Sequence, residues 1–492
     1  MVYNSQEPGS SGIAAGISQL VSGCPYAHKV TELTSKTTDW GRNTLYYLLF
    51  GSAECFREQM RIEPGIDRFF PEKEFPVGHK IKLRVVTDPS KIEKILKIAR
   101  YSEIMTGGSE FDALAHVIGD KNPLTEITEA EHDKIKQYAM KTRFGANIIN
   151  QNALKYFTFA KNFVKKEFSL ADGNTLFNMT EILPCFTLGI SSNIVFESEN
   201  TFSDSKITSV IGKLEQFISE GMLGHVRHFV PGCLDHEKTK CMQTFDQVVK
   251  QIQYPEKQNN GFACTMKRDN FSDEQIASMI KTVLVVGSGT TKSTLISAIY
   301  ELQKNPEYQE KLYQALVALD IPEFNEEELS DQSAEAYRKQ IVDKLFKCEE
   351  LKHFLLEVMR IHSPIPIQGR KTVTPIIIDD LIIPAGTTIY LTNFLANRDE
   401  ANWENPSVFD PSRFENAENI KRFSPFSVGK NECMGRFHAR ITMMCFLYHF
   451  LMGYKIPPFD YGIDEVRMGD FFTHAFLRAI QAFLQLRKKM GN

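Results

Sequence analysis

No run of about 18 or more apolar residues occurs in this 492-residue chain, which excludes a transmembrane helix, since about 20 are needed to cross a bilayer. The apolar stretch at 45–50 is too short to span. Residues 1–23, rich in Gly, Ser and Ala, lack the basic start and long apolar core of a secretory signal. A disordered tail over 1–30 is expected, followed by one large domain over 31–492 in the cytoplasm. None of the nine cysteines forms a C-x-x-C pair, and an odd, dispersed set suits a reducing compartment better than a disulfide framework. A net charge of −4 argues against nucleic acid as a general partner. Internal repeats and interdomain linkers are absent too.

What remains is an ordinary globular composition, 42% hydrophobic and 24% charged, able to bury a large core. Residues 126–170 place apolar positions at helical spacing among charged ones, whereas 250–270 lose periodicity and read as a surface loop. Ser272-Asp-Glu-Gln275 is a capping pattern that predicts a long helix through Leu302. Asn305-Pro306 ends that helix and opens another. The segment 320–335 is acidic and loop-like, and a further helix over 349–361 ends near Ser363-Pro364. The period then changes from helix to strand. Lys371-Thr-Val-Thr-Pro-Ile-Ile-Ile378, a turn at Asp379-Asp380 and Leu381-Ile-Ile383 predict a hairpin, and Pro384-Ala-Gly-Thr387 turns the chain into Ile389-Tyr-Leu-Thr392. The fold class is mainly α with small β-sheets.

The most specific signal is Phe426-Ser-Val-Gly429-Lys-Asn-Glu-Cys433-Met-Gly435. A cysteine is a strong iron ligand only as the thiolate. The two glycines let the backbone approach the sulfur, and an apolar run at 439–451 predicts a helix whose positive end faces it. Given 36 Phe and 29 Gly in the chain, this arrangement arises by chance around about 1 in 4000 cysteines. An inert, buried cysteine in a glycine turn is therefore disfavoured.

The decapeptide resembles the heme-binding signature of the cytochrome P-450 superfamily, F-x-x-G-x-(R or H)-x-C-x-G, with Asn431 where a cation usually pairs with a heme propionate. The resemblance continues through Glu357 and Arg360 (E-x-x-R), Asn397-Arg398-Asp399, Trp403 and Phe409-Asp-Pro411-Ser-Arg413-Phe414, almost without gaps over about 350–450. It implies the cytochrome P-450 fold, heme b ligated by Cys433 with Phe426, Gly429 and Gly435 around it, and a buried structural triad of Glu357, Arg360 and Arg413. His132 and Lys136 resemble the H-x-x-x-R stretch that grips a propionate, and Arg370 joins them as a cofactor-binding residue. Lys136 keeps the charge but lacks the arginine fork.

Val286-Gly287-Ser288-Gly289-Thr290-Thr291 resembles the oxygen-activating motif (A or G)-G-x-(D or E)-T-T. Thr290 aligns with the catalytic threonine that delivers protons, and Gly289 replaces the acid. Val283, Val286, Gly287, Ile365 and Ile367 are the expected substrate pocket. The function implied is a soluble monooxygenase of secondary metabolism, a monomer, oxidising a hydrophobic small molecule with O2 and two external electrons. With no flavin or iron–sulfur motif in the chain, an external electron-transfer protein is the implied partner. Lys421, Arg422, Lys430, Arg436 and Arg440 offer it a basic face. Loss of the acid at 289 keeps a second reading open, in which the enzyme uses peroxide, rearranges an oxygenated substrate or reduces a small oxide. A third, a heme-based sensor, needs an output domain that the sequence does not contain.

Overall fold

Ser272 caps the rod around which the two largest cores form. In the computed structural model its Oγ accepts from Gln275 N at 3.2 Å and Gln275 Oε1 accepts from Ser272 N at 3.0 Å, a reciprocal capping box. The rod runs through Asp273–Thr282, a π-helical turn Val283–Gly287 and Ser288–Lys304. Pro306 starts the next helix, Pro306–Ala318, at a position where its missing N–H costs nothing. The structure describes residues 68–74 and 80–458, without 99, 108, 127, 172–174, 198–204, 223–234, 254–259 and 324–329, plus short strands within 468–486. The expected tail at 1–30 lies outside these residues. Among the described residues no helix is long and apolar enough to cross a membrane.

The rod is shared between two cores. Ile276, Met279, Ile280 and Val283–Val285 pack with Phe111, Ile135, Phe262 and the helices Ser205–Met222 and Asp235–Gln253. Leu295, Ala298, Ile299 and Leu302 pack with the helices Ala153–Glu167, Glu349–Ile361 and Arg436–Gly453. Gly287 to Thr290, small residues that can bury little apolar surface, fall between the two, and a cavity opens beside them.

Two sequence expectations give way to tertiary structure. Lys371 to Ile378 is not one strand, because Pro375 has no N–H for a ladder. Gln368–Thr372 joins a five-stranded sheet, while Ile376–Ile378 pairs only with Leu381–Ile383. The larger sheet runs Arg68–Glu74, Lys80–Val86, Thr387–Leu391, Gln368–Thr372, Met105–Gly107. Lys80–Val86 is parallel to Thr387–Leu391, with Lys82 opposite Thr387, so the sheet joins chain segments far apart in sequence. The expected loop over 250–270 contains a helix, Phe262–Arg268, because Phe262, Ala263 and Met266 bury one face of it.

Glu357 and Arg360 are fully buried. Arg360 grips the carboxylate with both Nε (2.7 Å) and Nη2 (2.8 Å), and Arg413 Nε reaches Glu357 Oε1 at 3.1 Å. The two guanidinium groups then donate outward to main-chain oxygens of Asn397, Pro406, Glu404 and Val408. The trio thereby ties helix Glu349–Ile361 to an irregular segment that would otherwise carry unpaired carbonyls. Glu357→Ala leaves two guanidinium groups without their carboxylate, at a cost of about 3–5 kcal/mol. A large fall in unfolding temperature is expected for Glu357→Ala and for Arg360→Ala, and near-normal melting of both would show that the trio does not hold this segment.

Candidate active site

The loop before Cys433 is bent by its glycine. Gly429 has φ +67°, and a Cβ there would meet the Lys97 backbone at 3.4 Å, so a side chain is strained in this turn. Ser427 shares the left-handed conformation at φ 62°. The Cys433 amide donates to Phe426 O at 2.8 Å, closing the loop. Gly435 has a different role: a Cβ there would make ordinary contact with the sulfur at 3.8 Å, but its N–H hydrogen-bonds Cys433 Sγ. Helix Arg436–Gly453 begins earlier than its apolar run, and His438 in its first turn lines the cavity.

Cys433 is exposed, yet into the cavity and not outward. Desolvation in that deep position raises the thiol pKa, while the Gly435 N–H, Lys136 and Arg436 pull it down. A metal cation beside the sulfur would favour the thiolate outright. The cavity measures about 280 Å³ with mostly apolar walls. Phe426, Gly435 and Cys433 line it from the loop, and Val283, Val286, Gly287 and Thr290 from the rod. Ile365 and Ile367, just beyond Pro364, complete the apolar wall.

Just beyond the rod's π-turn comes a series of hydroxyls bonded back to the preceding turn of the helix. Ser288 donates to Leu284 O, Thr290 Oγ1 to Val286 O at 3.1 Å and Thr291 Oγ1 to Gly287 O at 2.9 Å. Such bonds locally loosen a helix. Thr290 spends its proton on Val286, so its oxygen is available as an acceptor on the cavity wall. A Cβ on Gly287 would find open space but for Val283 at 4.0 Å, so the missing side chain leaves room beside the cavity.

His132 and Lys136 also line the cavity. His132 Nδ1 lies 2.8 Å from Asp133, and desolvation holds its pKa below the usual histidine value. Lys136 donates to Lys430 O; desolvation lowers its pKa, partly offset by Glu432 and Cys433. Arg100, which carries no motif and was not foreseen, joins them on the wall. Its Nη1 donates to Leu124 O at 2.8 Å and its guanidinium lies 4.1 Å from the Phe111 ring centre. Arg370 and Gly429 are not among the lining residues. Arg370 is fully buried on its strand, donating to Gly369 O at 2.7 Å with its guanidinium 5.8 Å from Phe111. Phe111 itself lines the cavity. Asn431 is on the wall but donates to Ile98 O at 3.1 Å, so its amide serves the backbone. His438, also unforeseen, contacts Tyr156 Oη at 2.6 Å, and burial pushes its pKa down to about 4.

The basic face is less positive than its sequence implies. Lys421 pairs with Glu418, Lys430 with Glu129 and Arg436 with Glu432, so three of the five cations have an adjacent acid.

This donor set fits a flat, iron-bearing dianion. It has one sulfur for the metal, apolar walls with open space at Gly287, and the basic side chains His132, Lys136 and Arg100 for carboxylates. Comparison with known proteins agrees. The sequence model described as Cytochrome P450 matches residues 128–464, more than half of the chain. Human cytochrome P450 4F2 is 32% identical over 193 residues, 38% of this chain and 35% of that protein, so the match spans about a third of the relative's length. "Probable cytochrome P450 4e1" of Drosophila melanogaster is 22% identical across 80% of this chain and 76% of that protein. Tryprostatin B 6-hydroxylase of Neosartorya fischeri is 29% identical over 221 residues, 43% of this chain and 38% of that protein. The crystal structure of a cytochrome P450, CYP102L1, superposes with a TM-score of 0.70 at 17% identity, covering 88% of this chain and 94% of that one, which establishes the fold. The chain belongs to the cytochrome P450 family and has its fold, and the family's cofactor is heme b held through a cysteine thiolate.

Proposed function

We propose that this enzyme hydroxylates, or otherwise oxidises, a largely apolar small molecule, with Cys433 as the iron ligand and Thr290 as the last proton-handling group. The observation that carries this reading is that Cys433 and Thr290, 143 residues apart by their numbers, line one mostly apolar cavity. When bound, the heme supplies the redox chemistry. Substrate C–H, O2, two electrons and two protons become alcohol and water.

The chain's part is to bind, orient and regulate protons. His132, Lys136 and Arg100 would hold the heme carboxylates in place of a cation at 431, and Phe426 with Gly435 would seat the ring over the sulfur. Arg370 would act one layer back, behind Phe111, supporting the wall. Val283, Val286, Ile365 and Ile367 would orient the substrate by shape and exclude water, as apolar pockets with few polar anchors do. Thr290 Oγ1 would accept a proton from water while passing on its own, breaking its bond to Val286 O. The electrons come from an external protein, whose docking rests on shape and local contacts more than on long-range steering, given the acids beside Lys421, Lys430 and Arg436. Gly289 favours a second reading, peroxide-driven oxidation, since the motif's acid is not on that residue.

Three results are expected. Cys433→Ser should abolish the red-shifted Soret band of the reduced, carbon monoxide-bound protein; a surviving band would assign the ligand to another residue. Ile367→Asp should weaken the spin-state response to apolar ligands, because a carboxylate in that wall is costly to desolvate; unchanged titrations would remove Ile367 from the pocket. Thr290→Ala should divert reducing equivalents into released peroxide, since positioned proton donors are typically worth ~10²–10⁴ in rate. Intact coupling in that variant, with equal turnover on peroxide alone, would favour the second reading.

A further inference from the structure

The space that a side chain at position 289 would fill is already taken. A Cβ on Gly289 would lie 2.5 Å from Glu215 Oε1, closer than real Cβ atoms come to such an atom, and 3.2 Å from Glu215 Cδ, a tight contact. Glu215 arrives on helix Ser205–Met222 and is 7% exposed. Its neighbours Ile211 and Leu214 are buried in the same core as Val283, Leu284 and Val285 of the rod, which fixes how this helix faces the π-turn. The other carboxylate oxygen, Oε2, pairs with Lys292 Nζ, on the rod one turn beyond Gly289. Lys292 is the more exposed partner, 16% against 9% for the side chains.

We propose that Glu215 supplies, from a neighbouring helix, the carboxylate that position 289 lacks, and that Gly289 is the socket for it. This deepens the dioxygen-dependent reading above and rests on it. A proton relay needs a carboxylate near the alcohol at Thr290; it does not need both on one helix. Lys292 holds the carboxylate at its solvent side, so protons enter there, reach Glu215 and continue through water to Thr290 Oγ1. Glu215 is thus a positioning and relay residue that acts through Thr290. The alternative, an ion pair that merely fastens two helices, makes a different prediction. Dioxygen and two electrons must collect two protons to give alcohol and water, whereas hydrogen peroxide plus substrate gives the same products with its protons already in place. A relay from solvent therefore matters far more to the first route, which must import two protons, than to the second, which only moves a proton between the oxygens of peroxide, while a structural pair affects both alike.

The test uses the heme-loaded enzyme with a surrogate reductase and, in parallel, with hydrogen peroxide alone, recording product, peroxide released per electron pair and the solvent isotope effect. Glu215→Gln is expected to lower reductase-driven product on the order of tenfold or more, raise peroxide release and change the isotope effect, leaving peroxide-driven product within about twofold. Thermal unfolding of the heme-free and heme-loaded proteins provides a measure independent of turnover. Gly289→Asp should destabilise the wild type, because the new side chain meets Glu215, but be tolerated with Glu215→Ala, and that double variant should regain coupling. Glu215→Gln changing both routes equally, or neither, would reduce the pair to a fastening and overturn the relay. Equal destabilisation by Gly289→Asp in both backgrounds would overturn the shared socket. Wild-type enzyme that turns over with peroxide but not with dioxygen and reductase removes the dioxygen reading itself, and the relay falls with it; no Glu215 variant is needed to recognise that outcome.

Discussion

A sulfur that must meet a metal cannot drift, and the position of the loop that carries Cys433 is set by residues far from the sulfur. The burial of one carboxylate between two guanidinium groups, Glu357 with Arg360 and Arg413, is the constraint from which the rest follows. Removing three charges from water is expensive unless every donor and acceptor finds a partner, and here the surplus donors end on carbonyls of 397–408. That irregular stretch is thereby held without a helix or strand of its own. On it sits Trp403, packed with Phe414 and Phe423 in a small core that reaches Phe426, and Phe426 is the residue whose carbonyl the Cys433 amide meets. The ionic trio thus sets the position of the cysteine loop through a chain of packed rings.

The second constraint lies on the rod, where a helix must be continuous enough to span two cores and open enough to border a cavity. A π-turn at Val283–Gly287 with back-bonding hydroxyls beyond it meets both needs, since π-turns gather at functional sites. Glycine has two uses here. At Gly287 the missing side chain leaves space beside the cavity, and at Gly289 it leaves space for a carboxylate from outside the rod. Read along the chain, both look like helix defects costing about 1 kcal/mol each against alanine. In three dimensions the cavity explains the first and Glu215 the second.

The legible parts of this protein were those whose physics is local. The capping box at Ser272, the proline at 306, the i, i+3 spacing of Glu357 and Arg360, and the glycines around Cys433 all act within a few residues. Their sequence pattern therefore carries their structure. The apolar wall at Val283, Val286, Ile365 and Ile367 was legible for a different reason, the family resemblance of the segments that carry it. Arg370, expected as a cofactor-binding residue, is buried on its strand and is not one of the cavity's lining residues; which residues of a strand face a cavity depends on the sheet's pairing, here with Met105–Gly107 and Thr387–Leu391.

What the sequence determined by itself was the chemistry: a cysteine loop, a threonine on a loosened helix and an ionic pair of Glu357 and Arg360, each encoded by residues close together in the chain. What only the tertiary structure decided was which distant groups complete that chemistry. Arg100 reaches the cavity wall beside His132 and Lys136 from the connection between helix Pro89–Lys97 and strand Met105–Gly107, which pairs with Gln368–Thr372. Glu215 reaches Gly289 because two amphipathic helices share one core. Neither residue stands in a motif or at a marked spacing. Their partners are about 30 to more than 70 residues away along the chain, and contacts at such range are fixed by packing, for which no local pattern exists.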